Sequence, residues 1–257
     1  MEIVAVVNQK GGVGKTTTTI NLATALAAVG KQVLVVDLDP QGNATTGLGL
    51  PLSQGAGSYE VLMGDILASK AIQKTTIPGL FVMPASPDLS GAEIELVPLE
   101  RREFQLKAAL KSLSNQYDYV LIDCPPSLGL LTINAQVTSN SLLVPLQCEY
   151  YALEGLSQLL NTLQLVKQNL NPGLDLMGIV LTMYDTRSSL SAQVAQDVRE
   201  HLGNQVFNTH IPRNVRVAEA PSFGKPVLLY DMKCVGSQAY IQLAKEILKR
   251  EQGVMAA

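Results

Sequence analysis

Short apolar runs alternate along the chain with longer stretches whose apolar residues recur at helical spacing. The runs are rich in Val, Ile and Leu, which is typical of strands buried on both faces of a parallel sheet. Strands are predicted at Ile3–Val7, Gln32–Val36, Leu80–Met83, Tyr119–Ile122, Ser141–Pro145 and Leu176–Met183, with a short strand near Val206 and Phe207. Helices are predicted at Ile20–Ala28, Tyr59–Met63, Ser90–Leu113, Leu156–Asn169, Ser191–Leu202 and Ser237–Arg250.

This alternation of strands and helices predicts an α/β fold with a twisted, mostly parallel sheet and helices on both faces. With 257 residues, of which 47% are hydrophobic and 5% aromatic, the chain can bury one large aliphatic core. We therefore expect residues 1–257 to form a single domain. Two segments are less regular. Pro98 can interrupt the helix Ser90–Leu113, and Ile211–Pro226 is predicted as a loop with a short helix, not a strand.

The loop between the first strand and the first helix carries the strongest chemical signal. It reads NQKGGVGKTTTT over Asn8–Thr19, and its three glycines let backbone N–H groups turn towards an anion. A helix that begins near Lys15 or Thr16 adds the positive end of its dipole. Lys15 can reach the β- and γ-phosphates, and the Thr16 hydroxyl can ligate Mg²⁺. The predicted nucleotide site comprises Lys10, Gly11, Gly12, Val13, Gly14, Lys15, Thr16 and Thr17.

The loop departs from the usual phosphate-loop pattern, G-x-x-x-x-G-K-[ST]. Gln9 occupies the first glycine position, and Lys10 adds a second lysine. The resulting K-G-G-V-G-K-T resembles the deviant Walker A motif of the ParA/MinD ATPases. In that family the first lysine reaches across a dimer to the partner's nucleotide, so the resemblance implies a catalytic role for Lys10 beside Lys15. The alternative is a glycine-rich turn with two solvated lysines.

Two carboxylates, Asp37 and Asp39, follow the second predicted strand beside the glycine loop, where they are well placed to act on magnesium or water. Asp39 lies in DLDPQGNAT, which resembles switch I of the ParA/Soj branch, and the resemblance implies that Asp39 orients the attacking water. Ordinary turn chemistry is the alternative for this segment. Asp123 begins DCPPSLG, which resembles switch II and the Walker B arrangement. We expect Asp123 to hold Mg²⁺ together with Thr16.

Two further segments, QCEYYALEG and IPRNVRVAEAPSFGKP, also resemble the ParA/Soj partitioning ATPases, so the resemblance covers almost the whole chain. In the family the second segment closes over the adenine, which implies nucleotide contacts for Pro212 and Asn214. Within the first segment, we expect Tyr150 and Tyr151 to pack in the core or at an interface.

The resemblance also implies cofactors and partners. The cofactors are ATP and Mg²⁺, and hydrolysis is slow. The partners are a second copy in an ATP-bound homodimer, non-specific double-stranded DNA and a stimulating ParB-type centromere-binding protein. The implied location is cytoplasmic and nucleoid-associated. Arg187 and Arg216 resemble the family's DNA-contacting arginines, with surface salt bridges as the alternative.

The charge distribution and the spacing of the cysteines indicate which partners and which kinds of metal site to expect. The net charge is −3, yet residues 180–257 carry nine basic and seven acidic side chains, so an anionic partner is expected on that part of the chain. Cys124, Cys148 and Cys234 form no CxxC pair, which disfavours a metal or iron–sulfur site. This spacing also disfavours a reductase that carries a cluster.

The main alternative function is that of a MinD-like membrane-cycling ATPase. The residues after Arg250, EQGVMAA, offer no bulky apolar face, so we expect no stable membrane binding. An amide-forming ligase and a non-enzymatic nucleotide-dependent scaffold are further alternatives, and Asp39 with the two lysines favours an enzyme. Because the first strand starts near residue 2, no N-terminal helix-turn-helix is expected, as in the short Soj-like type.

Overall fold

The strands form one eight-stranded sheet. The structure is a computed structural model and describes residues 1–255. The sheet order is β3-β4-β2-β5-β1-β6-β7-β8, and all neighbouring strands are parallel except β3 and β4. The strands are β1 (Glu2–Val6), β2 (Val33–Asp37), β3 (Gln73–Lys74), β4 (Leu80–Met83), β5 (Tyr119–Asp123), β6 (Ser141–Gln147), β7 (Asp175–Tyr184) and β8 (Val206–Pro212). The predicted mostly parallel α/β sheet is therefore confirmed.

Helices cover both faces of this sheet, as predicted. They are α1 (Lys15–Ala28), α2 (Asn43–Gly47), α3 (Ser58–Met63), α4 (Ala68–Ala71), α5 (Leu89–Glu95), α6 (Gln105–Leu110), α7 (Leu130–Thr138), α8 (Ala152–Asn169), α9 (Ser189–Leu202), α10 (Val215–Glu219), α11 (Val227–Tyr230) and α12 (Val235–Met255). Short 3₁₀ turns occur at Arg102–Phe104, Lys111–Leu113, Gly203–Gln205 and Ala220–Phe223.

Alternate residues of the inner strands feed two separate hydrophobic clusters, one on each face. In β1, Val4 and Val6 pack with α1 and α12, whereas Ala5 packs with the helices of the opposite face. Because both faces are covered, these strands show an almost continuous apolar sequence and not a polar alternation. The strength of the strand predictions rests on this double burial.

The predicted long helix Ser90–Leu113 is wrong as one element. Helix α5 ends at Glu95, and the chain then passes Pro98 and a left-handed Arg101 (φ 53°) before the 3₁₀ turn Arg102–Phe104 and α6. Proline lacks the N–H that a helix interior needs and disfavours helical geometry in the preceding residue. The interruption left open at Pro98 is therefore present, and it is wider than one residue.

The start of the segment Ile211–Pro226 also differs from the prediction, because β8 continues through Ile211 to Pro212. Proline is tolerated here because β8 is an edge strand and Pro212 is its last residue. The backbone N–H of Arg213 still donates to the carbonyl of Tyr184 at 3.1 Å. The predicted short helix follows as α10.

Two smaller predictions also change. The antiparallel edge strand β3 was not predicted, since its two residues carry no apolar signal. Tyr150 and Tyr151 are 76% and 68% exposed and pack edge to face against each other, so a place in the core is wrong for both. Their place at an interface stays a prediction.

The topology predicts a binding crevice at the edge of the sheet that is formed by the carboxyl ends of its parallel strands. Strand β1 lies between β5 and β6, and the carboxyl ends of β1, β2 and β5 meet beside it. In parallel α/β sheets, ligands bind in the crevice outside the carboxyl ends of the strands at such a reversal of strand order. The glycine loop and both predicted acidic residues lie at this edge.

Candidate active site

The loop that joins β1 to α1 has the backbone geometry that an anion cradle needs. Gly12 and Gly14 adopt left-handed φ angles of 76° and 89°, which glycine accepts without strain. Helix α1 begins at Lys15, directly after Gly14, and no side chain caps its first N–H groups. The hydroxyl of Thr182 in β7 donates to the carbonyl of Val13 at 2.8 Å and anchors the loop to the sheet. Free helix N–H groups together with a fixed glycine loop suit a phosphate group.

Lys15 is buried, with only 6% of its surface exposed. Burial lowers the pKa of its ammonium group, and the nearby Asp123 partly offsets that shift. Its hydrogen bond to the carbonyl of Lys10 is long, at 3.4 Å. A buried ammonium with so weak a contact is stabilised by a phosphate anion, which fits the predicted role.

Asp123, the last residue of β5, is fully buried. The Thr19 hydroxyl donates to its Oδ1 at 3.1 Å, while its Oδ2 has no hydrogen-bond partner among the described residues. Burial, and next the neighbouring carboxylate of Asp37, raise the pKa of Asp123. The side chain of Thr16 lies near the same carboxylate and lowers that pKa. A carboxylate oxygen and a hydroxyl at one point are donors that Mg²⁺ accepts.

The residues present therefore fit a magnesium ion held mainly by phosphate and water. Residues 1–255 contain no group of three or more His, Cys, Asp or Glu side chains arranged to hold a metal ion. Mg²⁺ is commonly bound by one or two carboxylates plus substrate phosphates, in place of an all-protein cage. Cys124 and Cys148 are buried free thiols.

Asp39 follows β2 in the loop that leads to α2, and it is 8% exposed. Its Oδ1 accepts a hydrogen bond from the N–H of Gln41 at 3.0 Å, and its carbonyl accepts one from Gly42 at 2.8 Å. These bonds form a compact turn that fixes the direction of the carboxylate. The loop is anchored to the neighbouring strand because Leu38 donates to the carbonyl of Asp123 at 3.0 Å.

Lys10 is the exposed lysine of the loop. Its ammonium group forms a salt bridge with Glu149 of the same chain, in the turn between β6 and α8. The two side chains are 47% and 45% exposed, so the pair lies at the protein surface beside the cradle. Reaching a second nucleotide would require Lys10 to leave this partner.

The structure places Pro212 and Asn214 around the end of β8. Pro212 pairs with Tyr184 of β7, and the Asn214 side chain caps α10 by accepting from the N–H of Val217 at 3.3 Å. Both are partly exposed. Contact with an adenine stays a prediction for these two residues.

The two arginines predicted to meet DNA are in surface salt bridges. Arg187 donates to both oxygens of Asp185 at 3.0 and 2.9 Å, and its side chain is 88% exposed. Arg216 pairs with Glu219 at 3.1 Å and with Asp231 at 3.7 Å, and its side chain is 54% exposed. The structure thus shows the salt-bridge alternative, while DNA contact stays a prediction.

Several site residues escaped the sequence prediction. Thr19 lies one helical turn after Lys15, so its contact with Asp123 follows from helical spacing once α1 is known to begin at Lys15. Thr182 is 169 residues away from Val13, and nothing local in the sequence indicates that pairing. The same holds for the buried pair of Asp37 and Thr45, whose side chains meet at 2.6 Å.

Comparison with known proteins supports a nucleotide site. A model of the AAA domain family matches residues 1–176. The chain is 58% identical to the chromosome partitioning protein ParA of Caulobacter vibrioides, covering 98% of this chain and 96% of that one. It is 54% identical to the sporulation initiation inhibitor protein Soj of Bacillus subtilis, covering 96% and 98%.

A solved structure has the same fold over nearly the full length. It is that of cobyrinic acid a,c-diamide synthase from Mycobacterium smegmatis with bound ATP analog and magnesium. It superposes with a TM-score of 0.86 at 40% identity, covering 98% of this chain and 96% of that one. Within residues 1–255, no helix is both long and apolar enough to cross a bilayer.

Proposed function

Because the chain belongs to the ParA/Soj family of chromosome-partitioning ATPases, we propose that it is a magnesium-dependent ATPase that segregates DNA. The proposed cycle has an ATP-bound homodimer that holds double-stranded DNA without sequence preference. Hydrolysis, stimulated by a ParB-type centromere-binding protein, then releases the DNA. The observation that carries the proposal is the full-length similarity to ParA, joined to a cradle whose buried Lys15 and half-satisfied Asp123 suit a magnesium nucleotide.

Phosphoryl transfer requires positioning and charge neutralisation more than covalent chemistry. The backbone of residues 11–16 and the ammonium group of Lys15 would bind the phosphates. Thr16 and Asp123 would hold Mg²⁺, which when bound neutralises charge on the phosphate oxygens. Asp39 would orient the attacking water from its fixed turn. The free Oδ2 of Asp123 supports this division of roles, because both oxygens of Asp37 already accept hydrogen bonds.

The second copy would supply the remaining positive charge. Lys10 sits at the rim of the cradle and is half exposed, so a facing subunit can reach it. In this proposal Lys10 exchanges Glu149 for the γ-phosphate of the partner's nucleotide. Breaking the Lys10–Glu149 salt bridge costs little free energy, because exposed salt bridges contribute only about 0.2–1 kcal/mol. Hydrolysis would then depend on dimerisation.

The structure offers little to a membrane-cycling alternative. The apolar stripe of α12 packs in the core, where Tyr240, Leu243 and Ile247 are 0–2% exposed. A membrane-binding helix must present such a stripe to the lipid. The amide-forming alternative is weakened by similarity, since identity to the M. smegmatis synthase is 40% against 58% to ParA of C. vibrioides.

The test is retention of random-sequence duplex DNA with ADP, with ATP and with a slowly hydrolysed ATP analogue. Retention that requires the triphosphate supports a nucleotide-gated DNA switch. Equal retention in all three states would contradict the gating. Co-sedimentation with liposomes in the same nucleotide states covers the MinD-like alternative, and triphosphate-dependent lipid binding without DNA binding would favour it.

A further inference from the structure

We propose that Asp37 is a positioning residue for Asp39, and this inference rests on the proposed function. Asp37 is the last residue of β2, and none of its surface is exposed. One carboxylate oxygen accepts the N–H of Asp39 at 3.2 Å. The other accepts both the N–H and the hydroxyl of Thr45, at 2.8 and 2.6 Å. Three donors therefore converge on one buried carboxylate.

These three bonds clamp both ends of one loop. Asp39 stands near the start of the segment between β2 and α2, and Thr45 lies in α2 beyond its end. The turn that aims the Asp39 carboxylate, closed by the N–H groups of Gln41 and Gly42, lies wholly between the two clamped points. The direction of Asp39 thus depends on a side chain two residues earlier.

The clamp also joins neighbouring strand ends. The Thr45 hydroxyl that donates to Asp37 accepts the N–H of Ala85, just after β4, at 3.0 Å. Asp37 lies opposite Asp123 in the ladder between β2 and β5. One network therefore sets the loop relative to the predicted magnesium residue, Asp123.

Packing alone does not account for an acid at position 37. Burying a carboxylate costs desolvation free energy unless its hydrogen bonds compensate. An apolar residue would fill the same space without that cost. Asparagine is nearly isosteric, but its NH₂ group cannot accept a hydrogen bond from an N–H or a hydroxyl. Only a carboxylate accepts at both oxygens at once.

The test compares Asp37→Asn with Thr45→Val, which keeps the carboxylate but removes one of its three bonds and the acceptor of the Ala85 N–H. Steady-state ATP hydrolysis at saturating ATP, which gives kcat, and the affinity for a fluorescent ATP analogue are measured for each variant. We expect kcat to fall by up to about 100-fold in Asp37→Asn, as for a misplaced catalytic group, and by a smaller factor in Thr45→Val. Nucleotide affinity is expected to stay within about twofold, because both substitutions leave the glycine loop and Lys15 unchanged.

Ser58→Ala is the matched control. The Ser58 hydroxyl donates to the backbone carbonyl of Asp37 at 2.6 Å, so the variant loses a buried hydrogen bond at the same residue and leaves the carboxylate clamp intact. It is expected to lower the melting temperature with kcat retained. If Ser58→Ala and Thr45→Val lose kcat equally, or if Asp37→Asn keeps its kcat, the positioning role is wrong.

Asp39→Asn separates this inference from the proposed function. Normal hydrolysis by Asp39→Asn would reject the proposed role of Asp39 itself. Loss of hydrolysis in Asp39→Asn, with normal rates in both Asp37→Asn and Thr45→Val, would reject only the positioning role of Asp37. If Asp37→Asn fails to fold, the rate of Thr45→Val against Ser58→Ala still decides.

Discussion

At the scale of single residues, the site contains buried ionisable side chains whose charged forms a bound ligand would stabilise. Lys15 and Asp123 are almost fully enclosed, and neither has the full set of partners that a buried charge requires. In the proposed function, a magnesium nucleotide would supply the missing anion for the lysine and the missing cation for the carboxylate. The free protein therefore carries a cost at this site that ligand binding removes.

The first prediction concerns Lys15. Lys15→Ala removes the buried ammonium group, whose charge-assisted bonds to phosphate contribute about 1.5–3 kcal/mol each. We expect the affinity for ATP to fall by about 10- to 100-fold and hydrolysis to be lost. Isothermal titration with a slowly hydrolysed analogue measures the affinity. Lys70→Ala, on the exposed side of α4, is the control and should bind like the parent protein; an equal loss in both would contradict a specific role.

The second prediction concerns the pH dependence of the free protein. The pKa of Asp123 is raised in the folded state, so above the ordinary aspartate value of 3.8 the unfolded chain loses its proton first. The folded state then binds more protons, and the free energy of unfolding falls as the pH rises. Asp123→Asn cannot titrate, and its melting temperature should fall less between pH 5 and pH 8.

Thermal unfolding without nucleotide or magnesium measures this effect, with Asp65→Asn as the control. Asp65 is an exposed aspartate in the turn after α3. The control should follow the parent protein across the same pH range. A parent-like slope in Asp123→Asn would show that this carboxylate does not carry the pH dependence.

The residues of the glycine loop could be predicted because a phosphate cradle is a local device. Its glycines, lysine and threonine are consecutive, and the flanking strand and helix confirm the context. The clamp around Asp37 could not be predicted, since it joins residues 37, 45 and 85 through the fold. Local sequence patterns report spacing along one element and say nothing of partners across the sheet.

At the scale of elements, the site is assembled by loops that follow neighbouring strands. The loop after β1 provides Lys10 and leads into α1, which begins with Lys15. The loop after β2 provides Asp39, and the turn after β6 provides Glu149, which pairs with Lys10. Buried strands were predicted well because double burial leaves a continuous apolar sequence. The helix Ser90–Leu113 was predicted less well. The helical spacing of its apolar residues continues past Pro98, whereas the backbone cannot continue there as a helix.

The third prediction concerns the contact between two of these loops. Glu149→Gln removes the carboxylate that holds Lys10 in its own subunit, so the lysine is freer to meet a second nucleotide. We expect ATP-dependent dimerisation to tighten by up to about fivefold, the range of an exposed salt bridge. Sedimentation velocity over a range of protein concentrations measures the dissociation constant of the dimer.

Glu154→Gln is the matched control for this prediction. Glu154 is an exposed glutamate in the first turn of α8, five residues further along the chain. Its variant should dimerise like the parent protein. Weaker dimerisation in Glu149→Gln would mean that Glu149 also supports Lys10 in the dimer, contrary to the proposed exchange.

At the scale of the whole molecule, the charge distribution suits an anionic partner on one part of the surface. Residues 180–257 carry an excess of basic side chains although the chain is acidic overall. Arg187 follows β7 and Arg216 lies in α10, so both belong to segments that follow the carboxyl ends of adjacent strands. The same edge of the sheet carries the nucleotide cradle, which allows nucleotide state and DNA contact to be linked.

The fourth prediction concerns these two arginines. Arg187→Glu and Arg216→Glu should each weaken binding to duplex DNA and reduce the slope of log K against log salt concentration by about one per lost phosphate contact. ATP binding should survive in both. Fluorescence anisotropy with a labelled duplex at several salt concentrations measures this, with Lys107→Glu on exposed α6 as the charge-reversal control. Parent-like DNA affinity in both arginine variants would reject the assignment.

The molecular mass in solution is the most direct test of the claim that a triphosphate joins two copies through Lys10. Light scattering on the full chain, with ADP and then with a slowly hydrolysed ATP analogue, should give a monomer in the first case and a dimer in the second. Lys10→Ala should bind the analogue and remain a monomer. A dimer that forms equally with ADP, or equally well without the Lys10 side chain, would contradict the claim.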